Sequence, residues 1–350
     1  MAARNSFRKI VATTLTTDFR KACEVVTAKV GNLAENEVLV KTRYAGINAT
    51  DINVAAGRYG PPNPTLPFDV GLEGVGFVES VGSNIPRSMI GQPVAYIYTG
   101  SFGEYVKMPS RFCMPIPEAK REYIPLLISG LTASIALEKV GRISTGENVL
   151  ITAAAGGTGH IAVQLAKQAG CHVIGTSSSD EKGELLNSLG CDHVINYKEQ
   201  KLSDVLKETY PKGIDVVYES IGGEIFEACL NRLAVSGRMI VLGYIGSYHS
   251  PAGIDRSHRN ATLMTKLLLK SASIGGFFLM NHGSEFKPHL SKLVQLADSG
   301  KLRVLTDSTD EQGKPFIGLE SVFDAIDHLY SRKSKGKVIV EFPESKDSKL

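Results

Sequence analysis

The stretch Val149-Leu150-Ile151-Thr152-Ala153-Ala154-Ala155-Gly156-Gly157-Thr158-Gly159-His160 passes from an apolar run through a glycine turn into the helical period of Ile161 to Gln168. A short apolar run, a tight turn and a helix in that order open a βαβ unit. The same alternation continues outward. His172 to Gly175 precedes a helix over Glu181 to Leu189, and Val194-Ile195 precedes one over Leu202 to Thr209. Asp215 to Tyr218 precedes a helix over Glu224 to Leu233, and Arg238 to Leu242 closes the series. Strands this continuously apolar are covered on both faces, which predicts an α/β fold with a doubly wound parallel sheet.

The turn itself carries chemistry. Ala154 to Gly159 matches G-x-G-x-x-G except that Ala154 stands at the first glycine. Gly156, with Gly157 beside it, lets the backbone approach a pyrophosphate, and Gly159 permits close helix–strand packing. The helix N-terminus offers unpaired N–H groups to the anion. A Rossmann dinucleotide site over residues 129–276 is the expectation. The end of the next strand selects the dinucleotide: Thr176-Ser177-Ser178-Ser179 replaces the Asp or Glu that accepts from an NAD ribose. Hydroxyls with Lys182 nearby suit a 2′-phosphate through charge-assisted hydrogen bonds, so NADPH is expected. Asp180 is read as part of a helix cap.

Ahead of that region, residues 1–128 show short apolar runs broken by Gly, Pro and Asn, among them Val38-Leu39-Val40, Gly71 to Val81 and Phe102 to Met108. They predict a compact β-rich module. Residues 277–350 carry two further helical stretches and a strand over Lys337 to Phe342. The 350 residues hold 39 Lys plus Arg against 36 Asp plus Glu, a net charge of +3, too small to mark a dedicated nucleic-acid binder. Val149 to Ala166 lacks charged side chains but contains the glycine turn, His160 and Gln164, so no membrane span is expected. Five scattered cysteines without C-x-x-C read as reduced thiols of an intracellular protein. The last residues, Ser348-Lys349-Leu350, match a peroxisomal address read by an import receptor. The basic Arg4, Arg8 and Lys9 offer a weaker presequence reading, because a first strand already begins near Arg8.

The glycine turn, Ser188 to Tyr197, Gly213 to Gly223 and Gly46-Ile47-Asn48-Ala49-Thr50-Asp51 together resemble the quinone oxidoreductase branch of the medium-chain dehydrogenase/reductases. The resemblance runs from about residue 8 to 342. It implies a GroES-like catalytic domain (1–128), an inserted Rossmann domain (129–276), a C-terminal segment returning to the first (277–350), and a homodimer. Zinc-dependent relatives carry a Cys after the Gly-Ile pair and a His in a Gly-His-Glu segment. Here those places hold Asn48 and Leu72, which cannot act as thiolate or imidazole ligands, so no metal is expected, and Glu73 reads as a structural carboxylate.

Without a Lewis acid, the chemistry suited to hydride donation is reduction of an electron-poor carbon–carbon double bond. The resemblance implies NADPH-dependent reduction of α,β-unsaturated carbonyls, with 15-oxo-prostaglandins reduced at the 13,14 double bond. The alternatives are quinone or general alkenal reduction, and a non-catalytic NADPH-binding scaffold. By motif match, Tyr59 stabilises the enolate or passes on a proton, or else packs against Pro61 and Pro62. Asn48 faces the nicotinamide as a polar positioning group. Thr158 donates to the pyrophosphate, Ser178, Lys182 and Tyr197 surround the 2′-phosphate, and Ser220 lies near the ribose or nicotinamide. Phe277, Phe278 and Leu279 wall the cleft or else form a plain core or dimer-edge strand, and Tyr248 belongs with Tyr244 to a covering loop over 243–260. His160 is read as a neutral packing or capping imidazole. The basic run Arg332 to Lys337 is read as a solvated turn, with Lys337 able to approach the cofactor.

Overall fold

The computed structural model describes residues 6–60, 63–249 and 262–343. The terminal Ser348-Lys349-Leu350, Pro61-Pro62 and the stretch of the expected covering loop from 250 onward lie outside the described residues. The chain divides into two compact units, one of 1–128 with 306–350 and the other of 129–305.

The second unit holds the sheet that the glycine-turn stretch predicts. Its six strands run in the order His193–Asn196, His172–Ser177, Asn148–Ile151, Ile214–Glu219, Leu233–Val241, Ser273–Gly276, every pairing parallel. In sequence order this is 3-2-1-4-5-6, the doubly wound order of dinucleotide-binding folds. The helices Gly159–Gln168, Asp180–Ser188, Leu202–Thr209 and Gly223–Asn231 connect the strands. Leu150, Ile174, Ile195, Val217 and Met239 from five neighbouring strands join Leu202, Leu206 and Leu230 in one buried cluster. That is why these strands read as unbroken apolar runs.

Residues 277–305 group with this unit, so the return of the chain begins at Thr306 rather than at 277. The Gln164 side chain gives the physical reason. It accepts the Arg303 N–H at 2.7 Å and donates to the Arg303 carbonyl at 2.9 Å, tying the segment after the Phe286–Asp298 helix to the Gly159–Gln168 helix.

The first unit is β-rich. One sheet runs Thr306–Asp307, Lys337–Glu341, Glu37–Gly46, Glu73–Val81, Pro93–Ile97, Cys113–Pro115, with Tyr105–Pro109 also pairing to Glu37–Gly46. A smaller sheet joins Cys23–Lys29, Ser6–Ala12 and Phe68–Asp69. Val38, Val40, Val78, Val94, Tyr96 and Met108 fill the core between strands. Two strands flank the C-terminal half of Glu37–Gly46 in opposite positions: Lys337–Glu341 on one side and Glu73–Val81 on the other. This brings the first residue of each to the segment that follows Gly46.

The helical stretch Arg121–Gly141 is long and apolar enough to cross a membrane, but it is mostly buried, as a core helix is. All five cysteines are free. Burial pushes the thiols of Cys23, Cys113 and Cys191 up to about 12, which keeps them protonated and unreactive.

Candidate active site

In the second unit, the turn after Asn148–Ile151 is pinned from the neighbouring strand, where Thr176 Oγ1 accepts the Ala153 N–H at 3.1 Å. Ala153 takes a left-handed conformation (φ 48°), and the chain then folds back through Gly156 and Gly157 into the helix that starts at Gly159. A Cβ on Gly159 would lie 2.7 Å from the Ala154 Cα and run into the Ala153 carbonyl, so glycine is required there for close packing. Thr158 precedes the helix without spending its hydroxyl on a side-chain cap. His160 accepts the Leu305 N–H through Nε2 at 3.2 Å, which places its proton on Nδ1, facing the Gly156 carbonyl at 3.0 Å. It is a neutral ring bracing the turn.

Ser177 and Asn196 are directly paired across adjacent parallel strands, so Ser178 and Tyr197 leave the sheet side by side. The Tyr197 N–H bonds to the Ser177 carbonyl at 3.1 Å. Ser179 caps the helix Asp180–Ser188 by accepting the Lys182 N–H, and the Asp180 carboxylate accepts from Asn196 Nδ2 at 3.1 Å. Ser178 and Tyr197 thus stand at the ends of two paired strands, Lys182 lies in the first turn of the helix that follows Ser179, and Asp180 is occupied by an amide.

At the switch point between Asn148–Ile151 and Ile214–Glu219, the Ser220 N–H donates to Thr152 Oγ1 at 3.0 Å. Beside it, the fully buried Glu219 accepts the N–H groups of Ile221 (2.8 Å) and Gly222 (3.0 Å) through Oε1. Burial raises its pKa. Sequence reasoning passed over Glu219; its signal is an acid that follows the run Val216-Val217-Tyr218 at the end of a strand, just before a Gly-Gly pair.

Tyr248 is buried, accepts the Tyr244 N–H at 3.4 Å and meets the Tyr244 ring edge-on at 4.9 Å. Phe277 is buried against His282, the rings stacked at 4.7 Å, and Leu279 is buried, whereas Phe278 is 52% exposed.

The first unit holds a separate polar cluster. Asn48 follows Gly46, where a Cβ would strike the Glu73 carboxylate. Asn48 Nδ2 donates to Glu73 Oε1 at 2.9 Å, its Oδ1 accepts from Lys337 Nζ at 2.6 Å, and its backbone N–H donates to Asp51 Oδ2 at 2.7 Å. Lys337 also pairs with Glu73 Oε1 at 2.5 Å, and Glu73 Oε2 accepts the Ile128 N–H at 2.7 Å. Burial pushes the Asp51 carboxyl up to about 7 against the lowering effect of the Asn48 N–H and Lys337. Tyr59 is half-buried in the turn after the Asp51–Ala55 helix, a turn held by Arg58 Nη1 donating to Asn53 Oδ1 at 3.1 Å.

Residues 34–118 match the family model of the alcohol dehydrogenase GroES-like domain, and 157–296 that of the zinc-binding dehydrogenase. The chain is 46% identical to prostaglandin reductase-3 of Bos taurus, over all of this chain and 93% of that protein. It is 44% identical to a probable quinone oxidoreductase of Leishmania amazonensis, over 97% and 99% of the two chains. The structure of Escherichia coli quinone oxidoreductase complexed with NADPH superposes with a TM-score of 0.81 at 28% identity, covering 95% of this chain and 99% of that one. The chain belongs to the quinone oxidoreductase branch of the medium-chain dehydrogenase/reductases.

Within this oxidoreductase family, the model name for residues 157–296 raises the question of zinc. The donors of this chain do not fit the ion. The Asn48 oxygen is taken by an ammonium, Leu72 offers no donor, and both Glu73 oxygens are already bonded. Among the described residues, no group of three or more His, Cys, Asp or Glu converges for a metal. The expectation of a solvated turn fails at Ser334, which is buried, and at its last residue. Lys337 is 3% exposed, because the strand it opens pairs with Glu37–Gly46 and carries the side chain inward to Glu73.

Proposed function

We propose that this medium-chain reductase transfers hydride from NADPH to the carbon–carbon double bond of α,β-unsaturated carbonyl compounds, with 15-oxo-prostaglandins, reduced at the 13,14 bond, as its substrate class. The observation that carries the cofactor reading is the strand end at Ser178, Lys182 and Tyr197, where hydroxyls and an ammonium suit a 2′-phosphate and the nearby Asp180 is bonded to Asn196. The full-length likeness to prostaglandin reductase-3 supports the substrate class.

NADPH, when bound, supplies the hydride received at the substrate's β-carbon. The turn at Gly156-Gly157-Thr158-Gly159 binds the pyrophosphate with helix N–H groups and the Thr158 hydroxyl. Ser220, braced by Thr152, lies at the switch point where such folds hold the reacting end of the dinucleotide. Tyr59 donates a hydrogen bond to the carbonyl oxygen as charge collects there, and Asn48 orients the reacting groups.

Initial rates with NADPH on an oxo-prostaglandin, a short enone and a quinone test the proposal, with Tyr59→Phe as the mechanistic variant. The expected order places the oxo-prostaglandin first in kcat/KM, and Tyr59→Phe slows turnover about 100-fold, the usual scale for a general acid. NADPH binding without oxidation on any substrate of the panel would leave a scaffold instead. Quinone reduction is the second reading, favoured by the 44% identity to the Leishmania protein. A quinone outpacing both enones would establish it.

A further inference from the structure

We propose that Lys337 is a positioning residue of the reductase site, fixing the Asn48 side-chain amide so that one of its N–H groups serves the substrate's carbonyl oxygen. The inference rests on the reductase reading and adds a residue and a device to it.

The amide has two possible orientations, and the charges around it allow only one. Lys337 Nζ lies 2.6 Å from one atom of the amide, and an ammonium has only protons to offer. That atom must be the oxygen. The nitrogen then faces Glu73 Oε1 at 2.9 Å, where a carboxylate can only accept. Cation and anion thus hold opposite ends of the same planar group, and the Asn48 backbone is held separately by Asp51 at 2.7 Å.

Of the two amide N–H groups, one is committed to Glu73. Among the described residues the other has only the Gly46 carbonyl at 3.5 Å, the outer limit of a hydrogen bond. A substrate oxygen can take it at little loss. An ammonium on the amide oxygen withdraws electron density from the nitrogen, so this N–H donates more strongly to an oxygen that gains charge during reaction.

The burial of the pair argues the same way. Lys337 and Glu73 are 3% and 0% exposed. Replacing such a pair by apolar side chains of similar volume is often neutral or stabilising, so its presence is weak evidence for a stabilising role. Its two members come from the strands that flank Glu37–Gly46 and converge on Asn48, two residues past its end. A pair serving only to join strands has no need of Asn48.

Lys337→Met alone leaves Glu73 buried without its cation and can fail to fold. Lys337→Met combined with Glu73→Gln removes both charges together. The test is single-turnover NADPH oxidation with a saturating short enone, alongside the NADPH Kd and the melting temperature of each variant. The double variant is expected to melt close to wild type and to bind NADPH within about twofold. Its hydride transfer is expected to be about 100-fold slower, the lower end of the range for a lost donor at a developing oxyanion. A double variant that reacts within about threefold of wild type overturns the inference, since a strand-joining pair predicts recovery of rate with recovery of fold. Absence of NADPH oxidation by the wild-type protein overturns the reductase reading and this inference with it. An active wild type matched by the double variant overturns this inference alone.

Discussion

Ser179 Oγ accepts the backbone N–H of Lys182 at 3.4 Å, and that cap sets where the lysine leaves the first turn of its helix. Coenzyme selectivity is therefore expected to reside in Lys182. Lys182→Glu removes a charge-assisted contact to the 2′-phosphate, worth about 1.5–3 kcal/mol, and puts a like charge in its place. The NADPH Kd is expected to rise about 100-fold while the NADH Kd changes less than about threefold, as read by nucleotide fluorescence titration. An unchanged ratio of the two constants would refute the assignment of the phosphate site.

The glycine turn makes a sharper prediction through two neighbouring positions. A Cβ at Gly156 would have one close neighbour, the Ala153 carbonyl at 3.2 Å, whereas one at Gly159 overlaps two backbone residues. Gly156→Ala is expected to fold normally and to weaken NADPH binding by crowding the pyrophosphate path. Gly159→Ala is expected to cost about 2 kcal/mol or more of stability, because backbone cannot yield as a side chain does. Urea denaturation separates the two outcomes, and equal midpoints would contradict the packing argument.

Much of the second unit was legible because its physics is local. Apolar runs such as Val149 to Ile151 and Val173 to Ile174 are buried on both faces, and the expected strands and helices stand within a few residues of the observed ones. The boundary at 277 was not legible, because it depends on Gln164 reaching Arg303, a contact 139 positions apart. Lys337 was misread for the same reason. A run of Arg and Lys with Gly looks solvated, and only pairing of Ile339 with Gly46 brings its last residue to Glu73. Asn48 could be nominated from the motif, but its ammonium partner lies 289 residues away in sequence.

The buried Asp51 carboxyl gives stability a pH dependence of definite sign. Its folded pKa, raised to about 7 from 3.8, makes the neutral form the one the fold prefers. The associated stability is fully present below pH 3.8 and is lost as pH rises through about 7, up to about 4 kcal/mol in total. Asp51→Asn keeps an acceptor for the Asn48 N–H and cannot ionise. The variant is expected to gain on wild type between pH 4 and 7, with the difference level above that window. Denaturation midpoints across this range test it, and a difference independent of pH would refute the assignment.

Self-association is the expected use of the outer edge of the Rossmann sheet. Ser273–Gly276 ends the strand order, and no strand among the described residues pairs with its far side. In front of it, the helix Leu263–Lys270 packs Leu263 and Leu267 against the core while Met264, Leu268 and Leu269 are each 78% exposed. Phe278 and Met280, about half exposed, extend the apolar surface past the strand. An unpaired edge beside exposed apolar side chains invites association, and a second copy meeting it about a two-fold axis would cover both at once. Light scattering after gel filtration is expected to give twice the chain mass for wild type and the single mass for a Leu268→Glu, Leu269→Glu variant. Because both leucines point away from the core, the variant is expected to keep its melting temperature to within the loss of the interface itself. A monomeric wild type at micromolar concentration would leave this apolar face without its proposed partner.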